Sequence, residues 1–219
     1  MEAVLLLDKS EGWTSFDVVK KVRGTLRVKK VGHAGTLDPM ATGLLILCTG
    51  RLTKQIDRYQ AQEKEYVGAL KLGVTTASYD RMTPPEQERD AGHITLAAVR
   101  AALPALTGEI QQVPPIYSAL KVGGERLYKK ALRGERVEIR SRAITIHTFE
   151  ITGFEAPYVR FRVVCSKGTY IRSLAHDLGE VLGVGAHLTA LRRTRIGEFD
   201  VADALTIDAF VAEHQPTDT

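Results

Sequence analysis

The residue best suited to chemistry by type and setting is Asp38, in the segment Gly32–Gly43, which reads GHAGTLDPMATG. Glycines accept turn geometries and close backbone approaches that other residues resist. Pro39 has a fixed φ and disfavours helix at Asp38, and the apolar run Leu44–Leu47 follows. We therefore expect a stiff loop at the edge of a buried strand, where a carboxylate can act as a nucleophile. Asp-Pro pairs also commonly begin turns, so a structural capping role is the alternative.

The elements that must position this loop can be predicted from the spacing of apolar residues. Thr14 or Ser15 can cap a helix that runs to Leu26, and Tyr79–Gly92 is rich in proline and charge, which is typical of an exposed loop. The order of elements favours an α+β fold with a mixed, mostly antiparallel sheet. Strands are predicted at Val4–Leu7, Leu44–Cys48, Glu65–Leu72, Ala143–Thr152 and Val159–Cys165, and further helices at Leu52–Tyr59, Thr95–Leu106, Tyr170–Leu182 and Ala186–Arg193.

Composition places the chain among ordinary globular proteins. Its 219 residues are 44% hydrophobic and 26% charged, which suits one large domain or two small ones. It has no apolar run long enough to span a membrane and no signal peptide at its start, so we expect a cytoplasmic protein. Cys48 and Cys165 lie in apolar runs and are expected to be buried thiols. No cluster of cysteine and histidine has zinc-ligand spacing, and no metal is expected.

Positive charge is clustered rather than spread evenly. The net charge is +4, and clusters of this kind either bind phosphates or form solvated helix faces. We favour nucleic acid as the partner. The first cluster comprises Lys20, Lys21, Arg23, Arg27, Lys29 and Lys30, the second Lys121, Arg126, Lys129, Lys130, Arg133, Arg136, Arg140 and Arg142, and the third Arg192, Arg193 and Arg195.

Several motifs in a fixed order resemble those of the TruB family of tRNA pseudouridine synthases. Gly32–Gly43 matches the family pattern G-H-x-G-[ST]-L-D-P-x-A-[ST]-G around its catalytic aspartate. Ser10 stands where the family usually has proline, in the segment that matches D-K-P-x-G-x-T-S. The other matching segments are Lys64–Tyr66 (K-x-Y), Pro114–Lys121 (P-P-x-Y-S-A-L-K), Cys165–Leu174 (C-S-x-G-T-Y-I-R-[ST]-L) and Ala186–Thr194 (A-H-[LV]-x-x-L-R-R).

The resemblance implies the pseudouridine synthase fold, a bent mixed sheet with a central active-site cleft, and a reaction that needs no cofactor. Asp38 would be the nucleophile, by attack at ribose C1′ or at uracil C6, or would act as a base in a glycal route. Arg172 would hold the Asp38 carboxylate bidentately. Tyr66 would stack on uracil and could assist proton transfer through its hydroxyl. All three routes remain open from the sequence.

The resemblance also implies a substrate, the T-arm of tRNA with its uridine at position 55, which must be flipped out of the folded RNA. Tyr170 and Leu191 would line the pocket for the base. His33 would stack within the RNA loop, although an acid–base role is the alternative. A monomer is expected, and an RNA chaperone that binds the tRNA elbow without turnover is the competing function. Candidates for phosphate contacts are Lys9, Lys54, Lys121 and Lys167.

Two features depart from the family pattern. Residues 1–213 are expected to form the catalytic domain, with 114–142 as an RNA-gripping insertion called the thumb and 214–219 as a disordered tail. The C-terminal PUA domain usual in the family is expected to be absent. The segment Tyr79–Gly92 also differs from the family's shorter T-x-T-x-D-x-x-G element, so either Asp80, or Asp90 with Gly92, could supply the family aspartate.

Overall fold

The computed structural model describes residues 1–135 and 137–214, with the side chain of Lys121 excepted. The chain divides into two compact units: unit 1 contains Met1–Val67 and Leu191–Thr219, and unit 2 contains Gly68–Ala190. Most of the predicted tail at 214–219 lies outside the described residues, and its first residue, His214, ends the last helix. None of the described helices is long and apolar enough to span a membrane.

Helices and strands alternate along the chain without a regular repeat. The strands are β1 (Val4–Lys9), β2 (Val31–His33), β3 (Thr42–Thr49), β4 (Lys64–Leu72), β5 (Val74–Thr76), β6 (Pro85–Glu88), β7 (Gly108–Gln112), β8 (Lys121–Val122), β9 (Glu125–Arg126), β10 (Arg142–Glu155), β11 (Tyr158–Cys165), β12 (Ala186–Ile196), β13 (Phe199–Asp200) and β14 (Leu205–Thr206). The α-helices are α1 (Ser15–Leu26), α2 (Ile56–Ala61), α3 (Leu96–Ala102), α4 (Leu127–Leu132), α5 (Ile171–Val181) and α6 (Ile207–His214), and 3-10 helices cover Gly50–Gln55, Leu103–Leu106 and Val201–Asp203.

Unit 1 is a sheet in the order β14-β1-β3-β12-β4, with β2 added to β3 and β13 to β12. The β1–β3 pair is antiparallel, whereas β1–β14 and β3–β12 are parallel, so the predicted mixed sheet is confirmed. Strand β3 is apolar on both faces. Leu45 and Leu47 pack in one cluster with α1 and α6, and Leu44 and Ile46 pack on the opposite face with Tyr59 of α2. Burial on both sides explains why its sequence is a continuous apolar run.

Helix α1 begins with a complete capping box. The Thr14 hydroxyl accepts a hydrogen bond from the Asp17 backbone N–H at 3.1 Å, and the Asp17 carboxylate accepts one from the Thr14 backbone N–H at 3.0 Å. Thr14 is therefore the cap, and Ser15 is the first helical residue. Val18 and Val22, one turn apart, face the sheet. Reciprocal capping and an apolar face at helical spacing explain why this segment is a helix.

Unit 2 has its own part of the sheet, in the order β12-β4-β11-β10-β7. The predicted hairpin is confirmed as β10 and β11, which pair antiparallel with register shifts between Ile146 and Thr148 and between Ile151 and Gly153. Helix α5 confirms the prediction at Tyr170–Leu182 and buries one apolar face. Two short two-stranded sheets, β5–β6 and β8–β9, stand apart. Cys48 of unit 1 and Cys165 of unit 2 are buried, and neither forms a disulfide.

Two predictions about elements are wrong. The segment predicted as a helix at Ala186–Arg193 is strand β12. Its leucines at 188 and 191 fit a helical spacing, and short apolar runs do not distinguish helix from strand. The segment Tyr79–Gly92 is not a simple exposed loop, because β6 within it pairs with β5 and Asp80 is buried. All four residues of β6 are exposed, which explains the polar sequence.

Candidate active site

The Asp38 loop joins β2 to β3 within unit 1. The Asp38 carbonyl accepts a hydrogen bond from Ala41 N–H at 3.0 Å, which closes the turn at Pro39. The residue before it, Leu37, is fixed on both sides of its backbone by Ser15: its N–H donates to Ser15 Oγ at 2.9 Å, and Ser15 Oγ donates to its carbonyl at 3.3 Å. Asp38 is half-buried. The predicted stiff loop at a strand edge is confirmed, and the first turn of α1 holds it.

Lys9 contacts this loop from inside the protein, and its predicted phosphate contact stays a prediction. The side chain is fully buried. Its ammonium donates to the carbonyls of Trp13 at 2.6 Å, Ser10 at 3.0 Å and Pro39 at 3.4 Å. Burial lowers the pKa of Lys9 to about 8, although the nearby charge of Asp38 acts in the opposite direction. Lys9 thus ties the segment before α1 to the residue after Asp38.

Arg193 of β12 is a second buried cation in unit 1, and it is neither on a solvated face nor exposed to an anion in this structure. It is 1% exposed. Its guanidinium donates to the carbonyls of Leu44 at 2.8 Å and Gly35 at 3.2 Å. Arg193 therefore joins the backbone of the glycine-rich loop to that of β3. In a strand, Arg193 shares a face with buried Leu191, two residues earlier, so its burial could have been predicted. The prediction of a helix at Ala186–Arg193 concealed this pattern.

The other unit 1 residues singled out by the sequence lie on strands. Tyr66 of β4 and Leu191 of β12 are both buried. His33 is the last residue of β2 and is half-buried. Burial lowers the pKa of His33, and the charge of Arg193 lowers it further. A neutral imidazole suits the stacking role better than the role of a charged acid.

In unit 2, Arg172 is buried at the start of α5. Its Nη1 donates to the carbonyls of Ser78 at 2.9 Å and Tyr117 at 3.0 Å, and its Nε lies 3.6 Å from the carboxylate of Asp80. Asp80 is itself held by the Ser78 hydroxyl at 2.5 Å and the Met82 N–H at 2.8 Å. The exposed Asp90 instead accepts the N–H of Gly92 within its own turn. Of the two aspartates, Asp80 is the one that the structure places near Arg172, and its match to the family aspartate stays a prediction.

Tyr170 immediately precedes α5 and is fixed through its backbone. Gln112, fully buried at the end of β7, accepts from Tyr170 N–H at 2.8 Å and donates to its carbonyl at 3.1 Å. The Arg142 guanidinium lies 4.7 Å from the centroid of the Tyr170 ring, and it also donates to the Gly168 carbonyl. Sequence reasoning missed Gln112, because no local pattern distinguishes a glutamine that binds backbone from one that faces solvent.

The other three lysines predicted to contact phosphates are Lys54, Lys121 and Lys167. Lys54, in a 3-10 helix of unit 1, and Lys167, in the turn before Tyr170, are exposed. Lys121 lies on β8, and its side chain is outside the described part of the chain. The phosphate contacts of these three lysines stay predictions. Within the described residues, no group of three or more histidine, cysteine, aspartate and glutamate side chains could hold a metal ion.

Comparison with known families decides the identity of this arrangement. The family model for the N-terminal domain of TruB family pseudouridylate synthases matches residues 23–171, and the model for the tRNA pseudouridylate synthase B C-terminal domain matches 172–218. The chain belongs to the TruB family. It is accordingly a pseudouridine synthase, an isomerase, as the motifs in its sequence predicted.

Individual relatives agree with this assignment. A Flavobacterium johnsoniae protein named tRNA pseudouridine synthase B is 51% identical over 94% of this chain and 93% of its own length. A Thermobifida fusca protein of the same name is 49% identical over 97% of this chain and 75% of its own length.

Solved structures confirm the fold. A crystal structure of a Cbf5-Nop10-Gar1 complex contains a chain that is 33% identical, with a TM-score of 0.75 over 95% of this chain and 53% of that one. A structure of an H/ACA RNP bound to a substrate RNA containing 2′-deoxyuridine gives 30% identity and a TM-score of 0.72, over 95% of this chain and 52% of that one. The present chain spans about half the length of each of those chains.

Proposed function

We propose that this enzyme isomerises uridine to pseudouridine at position 55, in the T-loop of tRNA, and acts as a cytoplasmic monomer. The observation that carries the proposal is Asp38 on a loop anchored by Ser15 and Lys9. The names of the two relatives, tRNA pseudouridine synthase B, support tRNA as the substrate. Residues 1–213 would form the catalytic domain, with residues 114–142 as its thumb.

The reaction exchanges one bond of the ribose for another. The bond from C1′ to N1 of uracil breaks, the bond from C1′ to C5 forms, C5 loses its proton and N1 gains one. Because these bond and proton changes balance within one nucleotide, the reaction requires no oxidant, reductant or second substrate, and we propose no cofactor. Asp38 would be the nucleophile, because a carboxylate on a preorganised loop can form a covalent intermediate at C1′ or at C6. A glycal route would use the same carboxylate as the base.

The other residues would hold the base while it is detached. Tyr66 would stack on uracil and offer its hydroxyl for proton transfer, and Tyr170 and Leu191 would line the pocket. Arg172 would support the charge of the Asp38 carboxylate during the reaction. Anchoring of Arg172 by the Ser78 carbonyl and Asp80 supports this role, because a fixed guanidinium loses little entropy when it binds a further anion.

Contacts with the rest of the T-arm would hold the uridine in its flipped position. His33 would stack within the RNA loop vacated by the base. Lys54, Lys121 and Lys167 would contact phosphates. The thumb would contribute further cations, although Arg133 within it already pairs with Glu125 and Glu135 at 2.7 Å.

Tritium release from tRNA transcript labelled at C5 of uridine tests this function. Wild type should release one tritium per target uridine, because C5 loses its hydrogen only when it bonds to C1′. Asp38→Asn, which keeps the shape but removes the nucleophile, should release none while binding the transcript with a Kd within about threefold of wild type. Tritium release by Asp38→Asn would refute the proposal that Asp38 is the nucleophile. Binding without release by wild type would instead favour the chaperone that holds the tRNA elbow.

A further inference from the structure

Helix α1 carries a row of one aromatic and three cationic side chains on its outer surface. Phe16, Lys20 and Arg23 are spaced by four and three residues, which places them on one face, and Arg27, the residue that caps the helix, follows four residues after Arg23. All four are exposed, and Phe16 is 64% exposed. We call these four residues the α1 stripe. Single exposed apolar side chains are common on protein surfaces, and the notable feature of Phe16 is that cations follow it at helical spacing.

The stripe has no role in the packing of unit 1. The face of α1 that meets the sheet is formed by Val18, Val19 and Val22, all buried. The helix start is stabilised by Thr14 and Asp17 through the capping box. Arg23 lies in the last turn, where a cation also stabilises the helix C-terminus. Packing and capping by other residues leave the exposed ring of Phe16 without a role in the fold.

The cations of the stripe form no salt bridge within the described residues. The hydrogen bonds from Thr14 that hold the Asp17 carboxylate lower its pKa, and the charge of Lys20 helps to lower it further. The cations of the other two basic clusters are often already paired. Such pairs join Arg133 to Glu125 and Glu135, Arg192 to Asp8, and Arg195 to Glu63. The three cations of the stripe therefore keep their charge available for an anion from outside.

The helix residue next to Phe16 in sequence contacts the segment that carries the candidate nucleophile. Ser15, the neighbour of Phe16, binds both the N–H and the carbonyl of Leu37, which directly precedes Asp38. From Phe16 the row extends for about 16 Å at 1.5 Å per residue. That length corresponds to roughly five base steps of a nucleic-acid duplex.

We propose that the α1 stripe binds the RNA strand that flanks the target uridine, a role that rests on the proposed function. Phe16 stacks on an unpaired base next to the flipped nucleotide, and Lys20, Arg23 and Arg27 contact successive phosphates. Exposed aromatic rings combined with cations are the usual means of holding unpaired nucleic acid. A run of phosphates supplies the counter-charges that the protein itself does not.

The charge of the stripe can be tested by replacing all three cations with glutamine. Lys20→Gln/Arg23→Gln/Arg27→Gln keeps side-chain length and helix propensity. The matched control is Arg51→Gln/Arg100→Gln/Arg160→Gln, which removes three exposed arginines elsewhere. Each variant also carries Asp38→Asn, so that binding of the tRNA transcript is measured without turnover. The slope of log Kd against log salt should fall by about two in the stripe variant, and Kd should rise at least about tenfold at 0.1 M salt. The control should keep most of its slope.

The aromatic end needs a separate pair of variants. Phe16→Ala should weaken binding by roughly tenfold with an unchanged salt slope, because stacking releases no counterions. Phe16→Tyr should restore the affinity, whereas Phe16→Leu, which keeps an apolar side chain without a ring, should not. Recovery with leucine would show simple hydrophobic burial and overturn the stacking role.

The outcomes separate this proposal from the function on which it rests. With Asp38 intact, the glutamine variant should raise KM for transcript and leave kcat at saturating RNA within about twofold. An unchanged Kd and salt slope, or an equal loss in the control, would refute the proposal that the α1 stripe binds RNA. Absence of tritium release by wild type, together with stripe-dependent binding, would overturn the synthase function and retain the RNA-binding surface.

Discussion

At the scale of single residues, the Asp38 loop is supported by two buried cations that bind only carbonyl groups. Lys9 donates to carbonyls of the segment before α1 and of Pro39 in the loop, and Arg193 donates to carbonyls of the glycine-rich segment and of β3. Burial of a charge is costly unless it is hydrogen-bonded. These bonds offset part of that cost and fix the backbone that carries the carboxylate. A preorganised carboxylate needs little rearrangement to reach a reacting carbon.

The buried ammonium predicts an unusual pH dependence of stability. Burial lowers the pKa of Lys9 to about 8 from 10.5, so between these values the unfolded chain binds the proton more tightly than the folded one. Stability from this group must therefore rise with pH across that window. Relative to Lys9→Met, the wild type should gain roughly 1–2 kcal/mol in free energy of unfolding between pH 7.5 and 9.5. Urea unfolding of both proteins at the two pH values measures this gain. A constant difference would show that Lys9 titrates normally.

The sequence proposes candidate reactive residues more readily than it predicts what supports them. Asp38, Tyr66 and Arg172 are proposed through motifs whose order is independent of structure. The carbonyl contacts of Lys9 and Arg193 were not predicted, because a lysine or arginine that binds buried carbonyls has the same local sequence as one that faces solvent. Asp80 remained one of two alternatives, since only the fold brings it 3.6 Å from Arg172. Such partners are distant in sequence, and spacing carries no information about them.

At the scale of elements, the parallel pairing of β3 with β12 depends on a glycine. Gly43 pairs with Arg193 and has φ of +103°, a conformation that side chains resist. A β-carbon at this position would lie 2.2 Å from the Arg193 carbonyl oxygen. The glycine that ends the motif loop is thus required by the strand pairing in unit 1, whatever its role in the reaction.

Two glycine-to-alanine variants test this requirement in opposite directions. Gly43→Ala should destabilise the protein by at least about 2 kcal/mol, because it combines a strained φ with a clash against backbone. Gly24→Ala is the matched control, since Gly24 lies within α1 with nothing within 4 Å of the added carbon. It should stabilise the protein by roughly 0.5–1 kcal/mol through helix propensity. Thermal unfolding of the two variants gives both signs, and a Gly43→Ala protein as stable as wild type would refute the clash.

The predictability of elements followed the strength of their local signals. Helix α1 combines a capping box with buried valines at helical spacing, so both signals agree on its position. The hairpin β10–β11 has long alternating strands. Strand β12 was mistaken for a helix because its pairing with β3 is decided by distant residues. The short β8, β9 and α4 lack enough residues for any period to be recognised.

At the scale of the whole molecule, the proposed functional residues are divided between the two units. Unit 1 supplies Asp38, Tyr66 and the α1 stripe, and unit 2 supplies Arg172 and the thumb. In the described part of the thumb, the regular elements are short: β8, β9, the six-residue α4 and the first residue of β10. Short elements with few buried contacts open easily, and the binding of phosphates would favour their ordered form. RNA binding should therefore be visible in both units.

Hydrogen exchange with bound RNA tests this division. Asp38→Asn saturated with tRNA transcript should exchange amides of α1 in unit 1 and of α4 in unit 2 more slowly than the RNA-free protein. Ligand that binds only the folded, ordered state suppresses opening by a factor close to one plus the ratio of free RNA to Kd, about 100-fold at 100 times Kd. A transcript without its T-arm is the control and should leave both regions at the RNA-free rates. Protection in α1 alone would remove the thumb from the binding surface, because a segment that grips the substrate cannot open as often with RNA as without it.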